Sequence, residues 1–359
     1  MASSLKFGLM GYGFAGATFH APVIAHCGAP AESPNEPYAR LAAIATSQPA
    51  RALADFPLAK TVPDLDALLT LDEIDCVVIA TPNDTHFEMA RKVLEAGKHV
   101  VVDKPVTLKA ADALTLARLA HERGLVFAPF HNRRWDGDFL TVRALLSSGE
   151  LGRVTHFESH FDRFRPQVPA RWREEASRGG GLLLDLGPHL IDQALALFGP
   201  PETVYATVKA HRDRATAPDY VHLLLGYADK EVVLHASALA AIEPPRFAIY
   251  GTLGSYVKTG LDTQEDQLKA GLRPGDASFG SGNAAGSLRV VAGDRVVERE
   301  LPTLNGAYVE FYRALAMSIR RGEPFPVTSQ DAVDVMTIIE LADQSEREGR
   351  RLPFTRGLV

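Results

Sequence analysis

The sequence predicts two parts: an α/β part built on a doubly wound parallel sheet, then an α+β part with a broad, mainly antiparallel open sheet. Three observations carry that prediction. A glycine-rich turn, Gly11-Tyr12-Gly13-Phe14-Ala15-Gly16, follows an apolar strand and opens a helical segment. Apolar strands and helical stretches then alternate at βαβ spacing. Beyond residue 130 the grammar becomes β-rich, with short Asp- or Gly-containing turns of the kind hairpins use. The expected parts are therefore residues 1–129 and 130–359.

The first strand is "LKFGLMG". In the turn that follows, Gly11 permits the tight bend, Gly13 lets the backbone approach a pyrophosphate, and Gly16 allows close helix–strand packing, as in a Rossmann dinucleotide-binding domain. Phe14 and Ala15 complete a turn whose free N–H groups and helix dipole suit phosphates. Pro22 lies inside the next helical pattern, so that helix should stop or kink near Phe19 or His20. A Pro-rich stretch, "GAPAESPNEPYA", reads as a surface loop. Then come strand "RLAAIATS", a helical stretch around "ARALADF", strand "DCVVIATP" (75–82) and helix "HFEMARKVLEAGK". Thr85 and Glu88 have the spacing of a capping box for that last helix. Strand "HVVVDKP" (99–105), helix "AADALTLARLAHERG" and strand "LVFAPFH" close this part.

In the second part, "DGDFLTVRALLSSGELG" reads as a helix ending at Gly149, followed by strands such as "VTHFESHFDRF", "TVYATVKAHR" and "YVHLLLGYADKEVVLHASAL". Residues 262–287, rich in Gly and polar side chains, read as a loop or mobile excursion. Two helices, "AYVEFYRALAMSIRRG" and "SQDAVDVMTIIELADQSEREG", end the chain. A sheet with helices on one face needs a cover for the other, and a second subunit is the usual one. A homodimer or higher homo-oligomer through this sheet is the expectation.

Composition narrows the function. A net charge of −6 gives no electrostatic footprint for nucleic acid or an anionic membrane. No apolar run approaches the roughly 18 residues of a membrane helix. The first residues pass straight into a strand pattern, leaving no room for a secretory signal. Cys27 and Cys76, both in apolar contexts, read as reduced core thiols of a cytoplasmic protein. No His/Cys/Asp/Glu spacing suggests a metal site.

Past the second strand, where an acidic residue would bind the ribose of NAD, stand Thr46, Ser47, Gln48 and then Arg51. Hydroxyls and a guanidinium without a carboxylate suit a 2′-phosphate, so NADP is preferred, with NAD as the alternative. The loops "ATPNDTH" (80–86) and "DKP" (103–105) fall at the strand ends where open α/β sheets bind ligands. They offer Thr81, Pro82, Asn83, His86 and Asp103 as cofactor-side residues. Lys104, between a buried strand and Pro105, has its direction restricted by the proline. In "DLGPHLIDQ", Asp185 and His189 stand four apart, which sets both on one helical face. That stretch alone leaves open a capped structural histidine, the commoner case near a helix start, and a proton-transfer pair.

The motifs "GYGFAG", "ATPNDTH", "DKP" and "WREEASRGGGLLLDLGPHLIDQALALFG" resemble, in order, those of the Gfo/Idh/MocA oxidoreductase family, over nearly the whole chain. The stretches "GYGFAGATFHAPVI" and "FHNRRWDGDF" look like the branch containing NADP-dependent scyllo-inositol dehydrogenases. The resemblance implies NAD(P) on the first domain and a sugar or polyol between the domains. It implies that Lys104 is the motif lysine, that Asp185 and His189 are the motif Asp and His, and that Lys104–Pro105 is cis. Asp103 stands where Glu is commonest in the family.

With that context, His189 suits acid/base work, Lys104 polarises the reacting oxygen, and Asp185 orients them or binds a neighbouring hydroxyl. Arg134, Trp135, Arg163, Trp172 and Arg173 are candidate polyol ligands, and salt bridges are their alternative role. Two other functions compete with a polyol or sugar dehydrogenase. One is a redox-assisted glycosidase that retains NAD; the other is a non-catalytic dinucleotide-sensing regulator, which would usually lack one of Lys104, Asp185 or His189.

Overall fold

The computed structural model describes residues 4–28, 38–171 and 174–359, so the Pro-rich loop, Trp172 and Arg173 fall outside or largely outside the described residues. The first part is a six-stranded sheet of β1 (Leu5–Met10), β2 (Ala39–Ala45), β3 (Lys60–Val62), β4 (Cys76–Ile79), β5 (His99–Val102) and β6 (Phe127–Pro129). Their order is β3-β2-β1-β4-β5-β6, and every pair is parallel. β4 is buried along its whole length, as expected of a strand covered on both faces. Strand order reverses between β1 and β4, which opens a crevice beyond their carboxyl ends. The glycine turn and the 80–86 and 103–105 loops all emerge there.

Pro22 acts where the sequence says it should. Residues Gly16–His20 form a π-helical turn, and a regular α-helix starts only at Ala21, with Pro22 in its first turn. The chain stays helical through the junction, and the wider π turn accommodates the proline. The capping box at Thr85 does not form. The Thr85 hydroxyl donates instead to Pro82 O at 2.7 Å, inside a short 3-10 turn, and Glu88 pairs with Arg91 at 2.8 Å. A nearer carbonyl won the hydroxyl.

The second sheet has nine strands: β7 (Val154–His160), β8 (Thr203–Lys209), β9 (Tyr220–Gly226), β10 (Glu231–Ser237), β11 (Phe247–Gly251), β12 (Gly254–Lys258), β13 (Gly286–Ala292), β14 (Arg295–Leu301) and β15 (Leu352–Pro353). The order is β14-β13-β12-β11-β7-β10-β9-β8-β15, antiparallel throughout except for the β7–β10 pair. Helices Gly187–Phe198 and Ser329–Glu348 pack on one face, and the second of these also packs against helix Ala110–Glu122 of the first part. On the other face Thr207, His222, Leu224, Val233 and His235 are half-buried.

One segment departs from expectation. Residues 262–287 are not a loose excursion: Asp262 accepts from Gly137 N at 2.8 Å, and Gln264 bonds both Trp135 O (3.0 Å) and Tyr308 N (2.7 Å). The short helix Gln264–Lys269 packs against the Gly16–His20 turn. Buried polar side chains order this stretch, which is why it shows no apolar period. Helix Val309–Arg321 crosses back to the first sheet, where Tyr312 meets the Phe7 ring edge-on at 5.3 Å. Cys27 and Cys76 are buried and free.

Candidate active site

The glycine turn is set by close contacts. A Cβ on Gly11, whose φ is +101°, would lie 2.5 Å from Ala80 O, and one on Gly16 would lie 2.0 Å from Gly11 O. A Cβ on Gly13 would meet no protein atom within 4 Å. It would project into open space, where a bound group can approach the backbone. Gly13, Phe14 and Ala15 form one wall of a cavity of about 210 Å³. Thr81, Pro82, Asn83, Asp103 and Lys104 form another, and Gly179 and Asp185 reach in from the second part. Asn83 Nδ2 donates to Gly179 O at 3.1 Å, tying the two parts together across the cavity. Asp103 accepts from the Lys104 amide at 2.8 Å. Burial opposes ionisation of Asp103, yet His20, 3.9 Å away, and Lys104 hold its carboxyl down to about 2.

A second cavity of about 330 Å³ adjoins the first and shares Phe14, Ala15, Asp103, Lys104 and Asp185 with it. It adds His189 and Arg163. Its volume is that of a small-molecule site. Lys104 Nζ donates to Asp185 Oδ1 at 2.8 Å and to Asp185 O at 2.7 Å, which spends two of its three protons and aims the ammonium. The peptide Lys104–Pro105 is cis. His189 is buried, and among the described residues its Nδ1 has no hydrogen-bond partner. Burial, then the charges of Lys104 and Arg133, push its pKa well below the ordinary histidine value. This favours the neutral ring, the form that can accept a proton.

Asp185 and His189 do not share one helix. Leu182–Asp185 is a short helix that ends at Leu186, and Gly187–Phe198 starts afresh with Pro188 in its first turn. The two side chains reach the same cavity across this break.

At the far end of the glycine turn, Thr46 is buried and its hydroxyl accepts from Gln48 N at 2.9 Å, while Ser47 is exposed. The Arg51 guanidinium lies 5.4 Å from the Tyr12 ring centroid. This places a cation beside the turn itself.

Comparison with known proteins agrees with this geometry. Residues 5–131 match the family model described as oxidoreductase family, NAD-binding Rossmann fold, and residues 143–354 match the one for the oxidoreductase family C-terminal alpha/beta domain. The chain belongs to the Gfo/Idh/MocA oxidoreductase family. The oxidoreductase YdgJ of Escherichia coli (strain K12) is 45% identical over 97% of this chain and 98% of its own. The scyllo-inositol 2-dehydrogenase (NADP(+)) IolW of Bacillus subtilis (strain 168) is 38% identical over 97% and 96%. Among solved structures, an oxidoreductase of Yersinia pestis superposes with a TM-score of 0.92 at 44% identity, covering 100% of this chain and 99% of that one.

This Gfo/Idh/MocA chain is thus an NAD(P)-binding oxidoreductase. The open space before Gly13 and the surrounding N–H groups fit a dinucleotide pyrophosphate. Among the described residues no helix is long and apolar enough to cross a membrane.

Several expected site residues sit elsewhere. His86 lines neither cavity; its ring spans Pro105 O (2.8 Å) and Thr81 O (2.9 Å) and braces the two loops from behind. Arg134 is buried in ion pairs with Asp192 (2.6 Å) and Asp331 (3.2 Å), and Trp135 stacks edge-on against Phe311 at 5.8 Å. Both border a separate hollow, on the side of this short 3-10 turn away from Asn132 and Arg133. Arg163 does line the second cavity. So do Asn132, Arg133, Arg165, Glu265 and Lys269, which the sequence did not single out. For Asn132, Arg133 and Arg165 the local signal was the density of arginine in "HNRRW" and "FDRFRP"; Glu265 and Lys269 had none.

Proposed function

We propose that this enzyme is an NADP-dependent dehydrogenase of polyols or sugars, inositol-like in substrate, with His189 as acid/base and Lys104 as the group that polarises the reacting oxygen. The observation that carries the reading is the meeting of an aimed ammonium and a neutral imidazole in a cavity that adjoins the glycine turn. When bound, the nicotinamide supplies the hydride acceptor in oxidation and the hydride donor in reduction. In oxidation, His189 takes the proton of the substrate hydroxyl as the carbon loses its hydride. Lys104, with one N–H left over from Asp185, stabilises charge that develops on the same oxygen. Asp185 fixes that ammonium and borders the space where a neighbouring hydroxyl would lie. In the reverse direction His189 returns the proton to the alkoxide.

Preference for NADP is supported by Arg51 beside Tyr12, by the missing acidic residue after β2, and by the printed cofactor of the Bacillus relative. The half-buried face of the second sheet supports a homo-oligomer formed through it.

The test is a panel of inositols and aldoses with NADP⁺ and NAD⁺, followed at the nicotinamide absorbance. The expected result is reduction of NADP⁺, with Arg51→Ala lowering the NADP⁺ over NAD⁺ preference by about tenfold, roughly one charge-assisted contact. Sugar release from a glycoside without net absorbance change would replace the reading with retained-NAD hydrolysis.

A further inference from the structure

The second cavity is charged in a lopsided way. Lys104, Arg133, Arg163, Arg165, Arg171 and Lys269 line it, against only Asp103, Asp185 and Glu265. Most of these cations have partners. Lys104 is held by Asp185, Arg133 by Glu265 at 2.6 Å and Asp136 at 3.2 Å, Lys269 by Glu265 at 2.7 Å, and Arg171 by Glu174 at 2.7 Å. Arg163 and Arg165 differ: among the described residues, no carboxylate lies within ion-pair distance of either one.

Their placement is nonetheless rigid. Arg163 N donates to Ser237 O at 2.8 Å and Arg165 N to Ala238 O at 2.7 Å, with an isolated antiparallel bridge between Phe164 and Leu239. This extended stretch sends side chains two apart to the same side, and both arginines border the second cavity. Burial, opposed by Asp185 and reinforced by Arg165 and Arg133, pushes the Arg163 guanidinium below its ordinary value. Arg163 is half-buried and Arg165 exposed beside it, so the half-buried guanidinium gains from an anion that both can reach. Guanidinium forks answer carboxylate and phosphate best.

The geometry points to an acidic substrate: a polyol or sugar whose carboxylate or phosphate is clasped by Arg163 and Arg165 while its reacting hydroxyl lies at Lys104 and His189. This rests on reading the second cavity as the substrate site.

The test is NADP⁺-dependent turnover on matched pairs: D-gluconate against D-glucitol, D-galacturonate against D-galactose, and myo-inositol 1-phosphate against myo-inositol. The acidic member of a pair should show kcat/KM at least about tenfold higher, through KM, with the advantage shrinking as salt rises. Carboxylate and phosphate pairs separate the two anion types. Arg163→Gln and Arg165→Gln should bring the acid-to-neutral ratio to within about threefold, while Arg163→Lys keeps part of it and shows the fold is intact. Equal or better turnover of neutral members overturns the inference and leaves the dehydrogenase reading standing. A larger loss in NADPH affinity than in the ratio also overturns it, by assigning the arginines to the cofactor. If no compound turns over, calorimetry on the NADPH-loaded enzyme with D-gluconate, D-glucose 6-phosphate and D-glucitol decides. Absence of any preference for the acids there overturns the inference, whereas acid-selective binding without turnover supports it and counts against the dehydrogenase reading instead.

Discussion

His86 and His189 are both buried imidazoles beside the Lys104–Pro105 loop, and the protein holds them in opposite ways. His86 has a backbone carbonyl at each nitrogen. Neutral, as burial keeps it, the ring can donate to only one of them, but both fix its orientation. His189 has no partner at Nδ1 among the described residues and faces a cavity lined with cations. A ring anchored on both sides works as a brace; a neutral ring left unanchored beside an aimed ammonium is available for chemistry. Arg134 and Arg163 repeat the contrast. The first is closed off by Asp192 and Asp331, and the second is left facing the cavity.

Four experiments sharpen or break this contrast. The largest effect belongs to His189→Ala, which should lower kcat by about 10²–10⁴-fold while NADPH affinity and the unfolding midpoint barely move. Turnover near the parental rate would remove His189 from its role. Arg134→Ala should act in the reverse sense: loss of about 3–5 kcal/mol in urea unfolding, because Asp192 is left as a buried charge without its guanidinium. His86→Ala should cost about 1–3 kcal/mol by the same measurement and leave kcat of the folded enzyme within a few-fold. A collapse of kcat with unchanged stability would place His86 among the reacting groups.

The smallest effect is in pH. Burial lowers the pKa values of His86, His131 and His189 in the folded state. Below about pH 6.5 the unfolded chain therefore binds protons that the native one refuses, so stability falls on acidification. Each of the three contributes at most about 1.4 kcal/mol per pH unit. Urea unfolding at pH 7.0 and 5.5 should show the loss, and His189→Ala should remove its share. The acid limb of kcat/KM for oxidation should likewise lie below the ordinary histidine value, since His189 must be neutral to act.

Much of the first part was legible because its rules are local. The Gly11–Gly16 turn, the βαβ alternation and the break before Pro22 depend on neighbours a few residues apart. Lys104 and His189 were legible as candidates from motif order, and their convergence was expected only through the family resemblance, not from spacing. Thr85 misled because a capping box and a Pro82-directed hydroxyl look alike in sequence. The 262–287 stretch misled because its order comes from Asp262 and Gln264 reaching partners more than forty residues away, at Gly137, Trp135 and Tyr308. In "HNRRW" the adjacent Arg133 and Arg134 are indistinguishable by composition, yet one borders the cavity and the other is sealed into ion pairs.

Periodicity, turn chemistry and the placement of glycine and proline were enough to state the two sheets and the dinucleotide turn, since each is a short-range consequence of backbone sterics. Which charges are answered and which are not was decided by packing alone. Apart from the local Arg133–Asp136 pair, the ion-pair partners of Arg134, Lys104 and Arg133 come from elements 58 to 197 residues away along the chain, brought close only by the tertiary fold. A Coulomb interaction depends on distance through space, and no spacing along the chain records it.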